Sequence, residues 1–108
     1  MADRTMKKGD TYPPLRATLT ADGVALDLTG ASAVNALIVG PSTTLTATCT
    51  VLSPATGGRV EYEWQAGDTD EVGSHQIEFV VTWSATEEET VPNTGVRELV
   101  IEEDLATP

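Results

Sequence analysis

The sequence predicts an all-β protein, a β-sandwich or barrel of seven or eight strands. No window of the 108 residues repeats apolar side chains with the 3.6-residue period of an amphipathic helix. Valine and threonine, which favour strands, are abundant. Short runs with an apolar residue at every second position recur along the chain, separated by turns rich in glycine, proline and aspartate. This regular spacing of short strands is typical of sandwiches and barrels.

Eight segments carry the strand pattern. The first two are joined at Asp22-Gly23, a dipeptide typical of two-residue hairpin turns. The acidic segment 87–91 contains three successive glutamates, which we interpret as an edge strand that discourages pairing with other chains. The predicted strands are 15–19, 24–28, 31–39, 45–51, 59–65, 73–84, 87–91 and 96–102, with turns at 40–42, 53–58 and 92–95.

The alternation also predicts the core. Trp64 lies in phase with Val60 and Tyr62, so these three side chains should point inward. Cys49 continues another alternating run, which predicts a buried free thiol; a reactive or metal-binding cysteine is the alternative. The predicted core consists of Leu19, Leu26, Val34, Ile38, Leu45, Cys49, Val60, Tyr62, Trp64, Ile77, Phe79, Val81 and Leu99, with Trp83 at its end.

The charge is unevenly distributed along the chain. The net charge is -11, which disfavours nucleic-acid binding because that needs a basic surface. Residues 1–16 nevertheless carry four basic and two acidic side chains, whereas the rest of the chain carries two basic and fifteen acidic ones. A slightly basic segment therefore precedes an acidic body. The acidic surface can serve solubility alone, or it can receive the basic segment of a neighbouring copy.

No motif indicates catalysis. There is one histidine, His75, which alternates in phase with Ile77 and is expected to be partly buried, hydrogen-bonded or at an edge. No nucleophile elbow and no phosphate-binding glycine loop occur. Asp68, Asp70 and Glu71 could bind calcium, but flanking glycines favour a structural turn with no metal. We therefore expect no enzyme activity, no cofactor and no small-molecule substrate.

Several short motifs occur in an order that resembles a known family. The first half begins with a short basic segment. It then has a Gly-Asp pair, a Pro-Pro pair, an Asp-Gly hairpin and an Asp-Leu-Thr-Gly run, which are Gly9-Asp10, Pro13-Pro14, Asp22-Gly23 and Asp27-Leu28-Thr29-Gly30. The second half has Gly58-Arg59-Val60-Glu61-Tyr62, Trp64, Gly67-Asp68-Thr69-Asp70, Gly73, Glu78-Phe79 and Pro92-Asn93. In this order they resemble small virion proteins of tailed bacteriophages, related to the N-terminal domain of the baseplate upper protein family. The resemblance spans residues 7–105.

The resemblance implies an immunoglobulin-like antiparallel β-sandwich that works as a virion building block without enzymatic activity. The expected role is a tail- or baseplate-associated component that assembles through symmetric contacts, as a homo-oligomer and with other phage virion proteins. A capsid-surface decoration protein or a head–tail joining protein is the alternative of the same class. A carbohydrate- or host-surface-binding module is the alternative of another class, with Tyr12 and Trp83 as its candidate aromatics.

The expected location of the protein, in the virion, agrees with the absence of targeting signals from the sequence. The first ten residues contain no apolar stretch typical of a signal peptide, and no apolar run is long enough for a membrane span. A single free cysteine suits a reducing compartment. We expect assembly in the host cytoplasm and final residence in the virion.

The N-terminal segment is the candidate partner interface. Pro13 and Pro14 favour an extended backbone, so residues 1–14 are predicted to form an arm held away from the sandwich domain at 15–105; residues 106–108 form a tail. Such an arm could add a strand to a neighbour or insert Tyr12 into a pocket, and the alternative is a disordered tail. The candidate interface residues are Arg4, Lys7, Lys8, Tyr12, Pro13 and Pro14.

Overall fold

The structure is a computed structural model that describes residues 4–91, 93–95 and 97–103. These residues form eleven strands and one short 3-10 helix, Ala55–Gly57. The strands are β1 (Arg4–Lys7), β2 (Leu15–Ala21), β3 (Val24–Ala25), β4 (Ala33–Val39), β5 (Thr44–Thr48), β6 (Thr50–Val51), β7 (Arg59–Tyr62), β8 (Gly73–Ser84), β9 (Glu87–Val91), β10 (Asn93–Gly95) and β11 (Glu98–Glu102).

The first sheet is built around β8, its longest strand. Its strand order is β1-β11-β8-β4-β5, and β9 pairs with the later part of β8. The first residues of β8 pair with β11 and its later residues with β9, while β4 pairs along the other side. All of these pairs are antiparallel except β1 with β11, which is parallel. β1, β5 and β9 are therefore the lateral strands of this sheet among the described residues.

The second sheet has the order β10-β2-β7-β6, and β3 pairs with the end of β2. The β2–β3 hairpin confirms the predicted turn at Asp22-Gly23. Both residues have positive φ, 53° and 80°, which is the conformation that a type I′ turn requires. The two sheets pack against one core, so the predicted all-β sandwich is confirmed.

The predicted number of strands is too low. The predicted strand 45–51 is two strands in different sheets, because β5 pairs with β4 whereas β6 pairs with β7. Alternation continues through Cys49 at the crossing, so the pattern alone does not reveal the change of sheet. The predicted turn at 92–95 is wrong for Asn93–Gly95, which form β10, and Pro92 lies outside the described residues.

The core forms where the alternation placed it. Among the predicted core residues, only Leu26, Leu45 and Tyr62 are half-buried, and these pack against the buried ones, as does Trp83. Cys49 is buried as a free thiol, as predicted, and burial raises its pKa to about 11. The core further includes Met6, Leu15, Ala17, Leu28, Ala36, Ala47, Val91 and Ile101.

The expectation that the N-terminal arm lies away from its own domain is wrong for Arg4–Lys7. These residues form β1, paired with β11 from Arg4↔Leu99 to Lys7↔Glu102. Met6 lies in the core with 4% of its surface exposed, which explains why the segment docks on its own sheet. Residues 1–3 of the predicted arm, Val96 of the predicted last strand, and residues 104–108, including the predicted tail, lie outside the described residues.

Candidate partner-binding surface

The segment that follows β1 is fastened to it by Arg4. The Arg4 guanidinium donates hydrogen bonds to the carbonyl oxygens of Pro13 (2.9 Å) and Pro14 (3.1 Å). Partial burial lowers the pKa of Arg4. Since both prolines keep their carbonyl groups but have no N–H, an arginine is a suitable partner. Three of the six predicted interface residues are thus brought together, but as a clamp within the chain.

The lysines of the segment differ in role. Lys7 Nζ lies 2.8 Å from Glu102 Oε1, and both side chains are half exposed, so the pair contributes little to stability. The Lys7 backbone N–H donates to Asp10 Oδ2, and Asp10 N–H donates to the Lys7 carbonyl oxygen. Lys8 is half-buried, and its N–H donates to the Glu102 carbonyl oxygen. Their backbones therefore end β1 in a tight turn.

Tyr12 is the large side chain that this segment exposes to solvent. Its exposed fraction is 80%, the largest among the exposed large hydrophobic residues that the structure describes, and Pro13 beside it is also exposed. The other aromatic candidate, Trp83, is half-buried and donates from Nε1 to Glu89. The loop therefore presents one aromatic ring from a backbone that Arg4 holds in place.

The acidic loop 67–73 is a structural corner. Asp68 Oδ2 accepts hydrogen bonds from the Tyr62 hydroxyl and from the Gln65 N–H (2.7 Å). Burial is the main cause that raises the pKa of Tyr62 to about 12, and the hydrogen bond to Asp68 is the second cause. Thr69 is buried, and its hydroxyl donates to the Asp10 carbonyl oxygen at 2.7 Å, which ties the corner to the N-terminal segment.

Glu71 ties the same corner to the β4–β5 turn. Its carboxylate accepts hydrogen bonds from the hydroxyl and N–H of Ser42 and from the hydroxyl of Thr43 (2.7 Å). These bonds to Ser42 and Thr43 lower the pKa of Glu71 to about 2. A Cβ at Gly40 would lie 2.5 Å from Glu71 Oε1 and 2.6 Å from His75, so a larger residue there would displace one of these side chains.

Loss of the Glu71 charge should destabilise the fold at low pH. A folded-state pKa below the ordinary 4.5 means that the stabilisation is present above about pH 4.5 and is lost as the pH falls toward 2. Urea unfolding at about pH 6 and about pH 2.5 measures how far the free energy of unfolding falls between these two pH values. This fall should be smaller for Glu71→Gln than for the wild type. Glu103→Gln, at an exposed position, is the control that should behave like the wild type. Equal pH effects in wild type and Glu71→Gln would contradict the role of Ser42 and Thr43.

The described residues contain no group of three or more histidine, cysteine, aspartate or glutamate side chains that could hold a metal ion. Asp68 and Glu71 are instead occupied by separate protein donors. His75, the only histidine, is 3% exposed; its Nδ1 lies 3.1 Å from the Gly73 carbonyl oxygen and its Nε2 3.7 Å from Glu71 Oε1. It is therefore more deeply buried than the sequence predicts. Over the described ranges, no helix is long and apolar enough to cross a membrane.

Sequence reasoning missed the open edge of the first sheet at β5. This strand is the uncharged run Thr44–Thr48, whereas the predicted edge strand β9 carries three exposed glutamates. The absence of charge from 43–51 was the available signal, but pairing order is needed to see that β5 is lateral.

Comparison with protein-family models and with curated proteins finds no match to this chain. The likeness to phage virion proteins therefore rests on the motifs quoted above.

Proposed function

We propose that this chain is a non-catalytic structural component of a tailed-bacteriophage virion, associated with the tail or baseplate. The motifs that carry the resemblance support this because they build corners. Asp27 Oδ1 accepts the Thr29 N–H at 2.9 Å. Hydrogen bonding from the Thr29 side chain, and then from its N–H, lowers the pKa of Asp27. Asp68 organises the acidic corner in a similar way. Residues used for turns suit a scaffold whose work is contact with other proteins.

The strand order supports the immunoglobulin-like part of the proposal. In immunoglobulin-like sandwiches one sheet contains strands B, E and D side by side, and the other contains C, F and G. Here β2, β7 and β6 are neighbours in one sheet, and β4, β8 and β11 are neighbours in the other. Along the chain, β2, β4, β6, β7, β8 and β11 follow one another in the order of strands B, C, D, E, F and G.

The observation that carries the proposal of a contact surface is the exposure of Tyr12. Tyrosine anchors are enriched at the energetic centres of protein interfaces. A loop fixed by Arg4 loses little conformational freedom when Tyr12 enters a partner's pocket. We propose that the partner is another virion protein or a second copy in a symmetric ring.

Immunogold electron microscopy of purified particles from the phage that encodes the chain tests this function. The wild-type chain should be found in particles at the tail end, and Tyr12→Ala should reduce its incorporation. Val24→Ala is the matched control, because Val24 is 68% exposed but lies on the β2–β3 hairpin. Both variants should keep the wild-type stability within about 0.5 kcal/mol. Deleting residues 1–8 is a poorer test because it removes Met6 from the core.

The outcomes separate the parts of the proposal. A wild-type chain missing from particles would contradict the virion role. Normal incorporation of Tyr12→Ala would leave the virion role and overturn the assignment of the loop. Labelling over the head surface or at the neck would favour the decoration or joining role. A glycan-binding role has less support, since Trp83 is engaged with Glu89 and leaves Tyr12 as a single exposed ring.

A further inference from the structure

The lateral strand β5 has an open backbone edge. Gly40 N–H donates to the Thr43 carbonyl oxygen, and Cys49 N–H donates to the Val34 carbonyl oxygen, both at 2.8 Å. In an antiparallel pair of strands, hydrogen-bonded residue pairs alternate with non-hydrogen-bonded ones. Since Thr43 and Cys49 bond toward β4, the backbone N–H and C=O groups of Leu45 and Ala47 also point toward β4. The backbone groups of Thr44, Thr46 and Thr48 therefore point away from the sheet, and no described residue pairs with them.

The other lateral strands of this sheet are protected. The outward backbone groups of β1 are occupied in part by Asp10, and Arg4 holds residues 13–14 beside the strand. β9 carries Glu87, Glu88 and Glu89, all exposed. Charged side chains and a covering loop are common protections of edge strands. Among the described lateral strands of this sheet, only β5 has neither.

Two acidic cavities flank β5. The first, about 500 Å³, is lined near the start of β5 by Thr43–Leu45 and by loop residues that include Asp70. The second, about 290 Å³, is lined near its end by Thr48 and Thr50 and by residues that include Glu63. Neither cavity is lined by lysine or arginine. Asp70 and Glu63 are exposed, and their carboxylates have no hydrogen-bond partner among the described residues.

We propose that β5 is the docking edge for a basic, extended segment of another protein, which joins the first sheet as an additional strand. Main-chain hydrogen bonds to Thr44, Thr46 and Thr48 supply the pairing, as in other cases of strand addition. Alternate side chains of the added strand lie toward the acidic cavities, so lysine or arginine at those positions meets Asp70 and Glu63. This proposal goes beyond the virion role and does not depend on it.

A second copy of this chain does not supply the required segment from its described residues. Arg4 binds the carbonyl oxygens of Pro13 and Pro14, Arg16 pairs with Glu61, and Arg59 donates to the Ser53 carbonyl oxygen. Lys7 pairs with Glu102 and lies in the already paired strand β1, and Lys8 follows it with its N–H bonded to the Glu102 carbonyl oxygen. Arg97 also has a partner within the chain. The charge of the two cavities therefore favours a different, basic protein as the partner.

The probe is a fluorescently labelled eight-residue peptide that alternates lysine and threonine, titrated into the full chain and followed by anisotropy. Binding should weaken about tenfold or more in about 0.5 M salt, because exposed charges are screened. The same peptide with glutamate in place of lysine should not bind. In nuclear magnetic resonance spectra, the amides of Thr44, Thr46 and Thr48 should shift and exchange more slowly when the lysine peptide is bound.

Thr46→Pro and the double variant Glu63→Gln/Asp70→Asn test the two halves of the proposal. Proline is tolerated where the N–H of an edge strand points outward, and it removes the donor that the added strand needs. Each variant should bind the lysine peptide about tenfold more weakly. Glu88→Gln, which removes an exposed acid from β9, should bind like the wild type. If Thr46→Pro does not fold, the double variant alone decides.

Several results would overturn the proposal. These are no binding of the lysine peptide, unchanged affinity in the folded variants, or amide shifts that map away from β5. A chain that dimerises without peptide and shows protected β5 amides would identify a second copy as the occupant instead. Loss of virion incorporation with intact peptide binding would contradict the proposed function only.

Discussion

Replacing Trp64 with alanine should lower the free energy of unfolding by about 3–5 kcal/mol, the range for removing a buried large aromatic side chain. This is a large share of the roughly 5–15 kcal/mol typical of a domain. Trp64 is 5% exposed and packs edge-on against Tyr62, with ring centroids 5.6 Å apart and an interplanar angle of 82°. Its Nε1 meets no acceptor in the described part of the chain, so packing is what holds the ring.

Chemical denaturation of Trp64→Ala and Trp83→Ala provides the measurement. Trp83 is the matched control because it is half-buried, and its Nε1 bonds to an exposed glutamate. We expect a clearly smaller loss for Trp83→Ala. An unchanged unfolding curve for Trp64→Ala would show that Trp64 does not point into the core.

Gly58→Ala should have the other large effect. Gly58 has φ +68°, and a Cβ there would lie 2.7 Å from the Leu19 carbonyl oxygen and 2.9 Å from that of Leu26. Both neighbours are backbone atoms, which cannot move aside without disturbing β2 and the chain beyond β3. Overpacking typically costs about 1–3 kcal/mol. The left-handed backbone adds a similar cost of about 1–3 kcal/mol for a residue with a Cβ.

Gly30→Ala separates these two contributions. Gly30 has φ +86°, but nothing lies within 4 Å of its Cβ position. Its substitution should therefore show the backbone cost alone, and Gly58→Ala should be the more destabilising in thermal and chemical unfolding. Equal losses for the two variants would mean that the contact with Leu19 and Leu26 relaxes at no cost.

The core could be predicted from the sequence because burial follows a local rule. In a strand, successive side chains face opposite sides of the sheet. The inward orientation of Val60, Phe79 and Val81 can therefore be predicted from the few residues around each of them. The Asp22-Gly23 turn could be predicted for the same kind of reason, since positive φ is a property of the two residues themselves.

The candidate site could be predicted only in part. Pro13 and Pro14 marked an extended segment, and Tyr12 was correctly singled out as an aromatic outside the core. The Arg4 clamp onto the two prolines could not be predicted, because it joins residues nine and ten positions apart through side-chain geometry. The link between Thr69 and Asp10 spans 59 positions and has no local pattern at all.

The sequence by itself determined that this chain is an all-β protein with an acidic composition and a hairpin turn at Asp22-Gly23, since alternation, turn residues and charge are local properties. Only the tertiary structure decided which strands are neighbours. It placed β1 beside β11, moved the chain between sheets at Cys49, and left the Thr44–Thr48 edge open between acidic cavities. Strand pairing joins residues far apart in the chain, and its free energy depends on packing between whole sheets, which no short stretch of sequence contains.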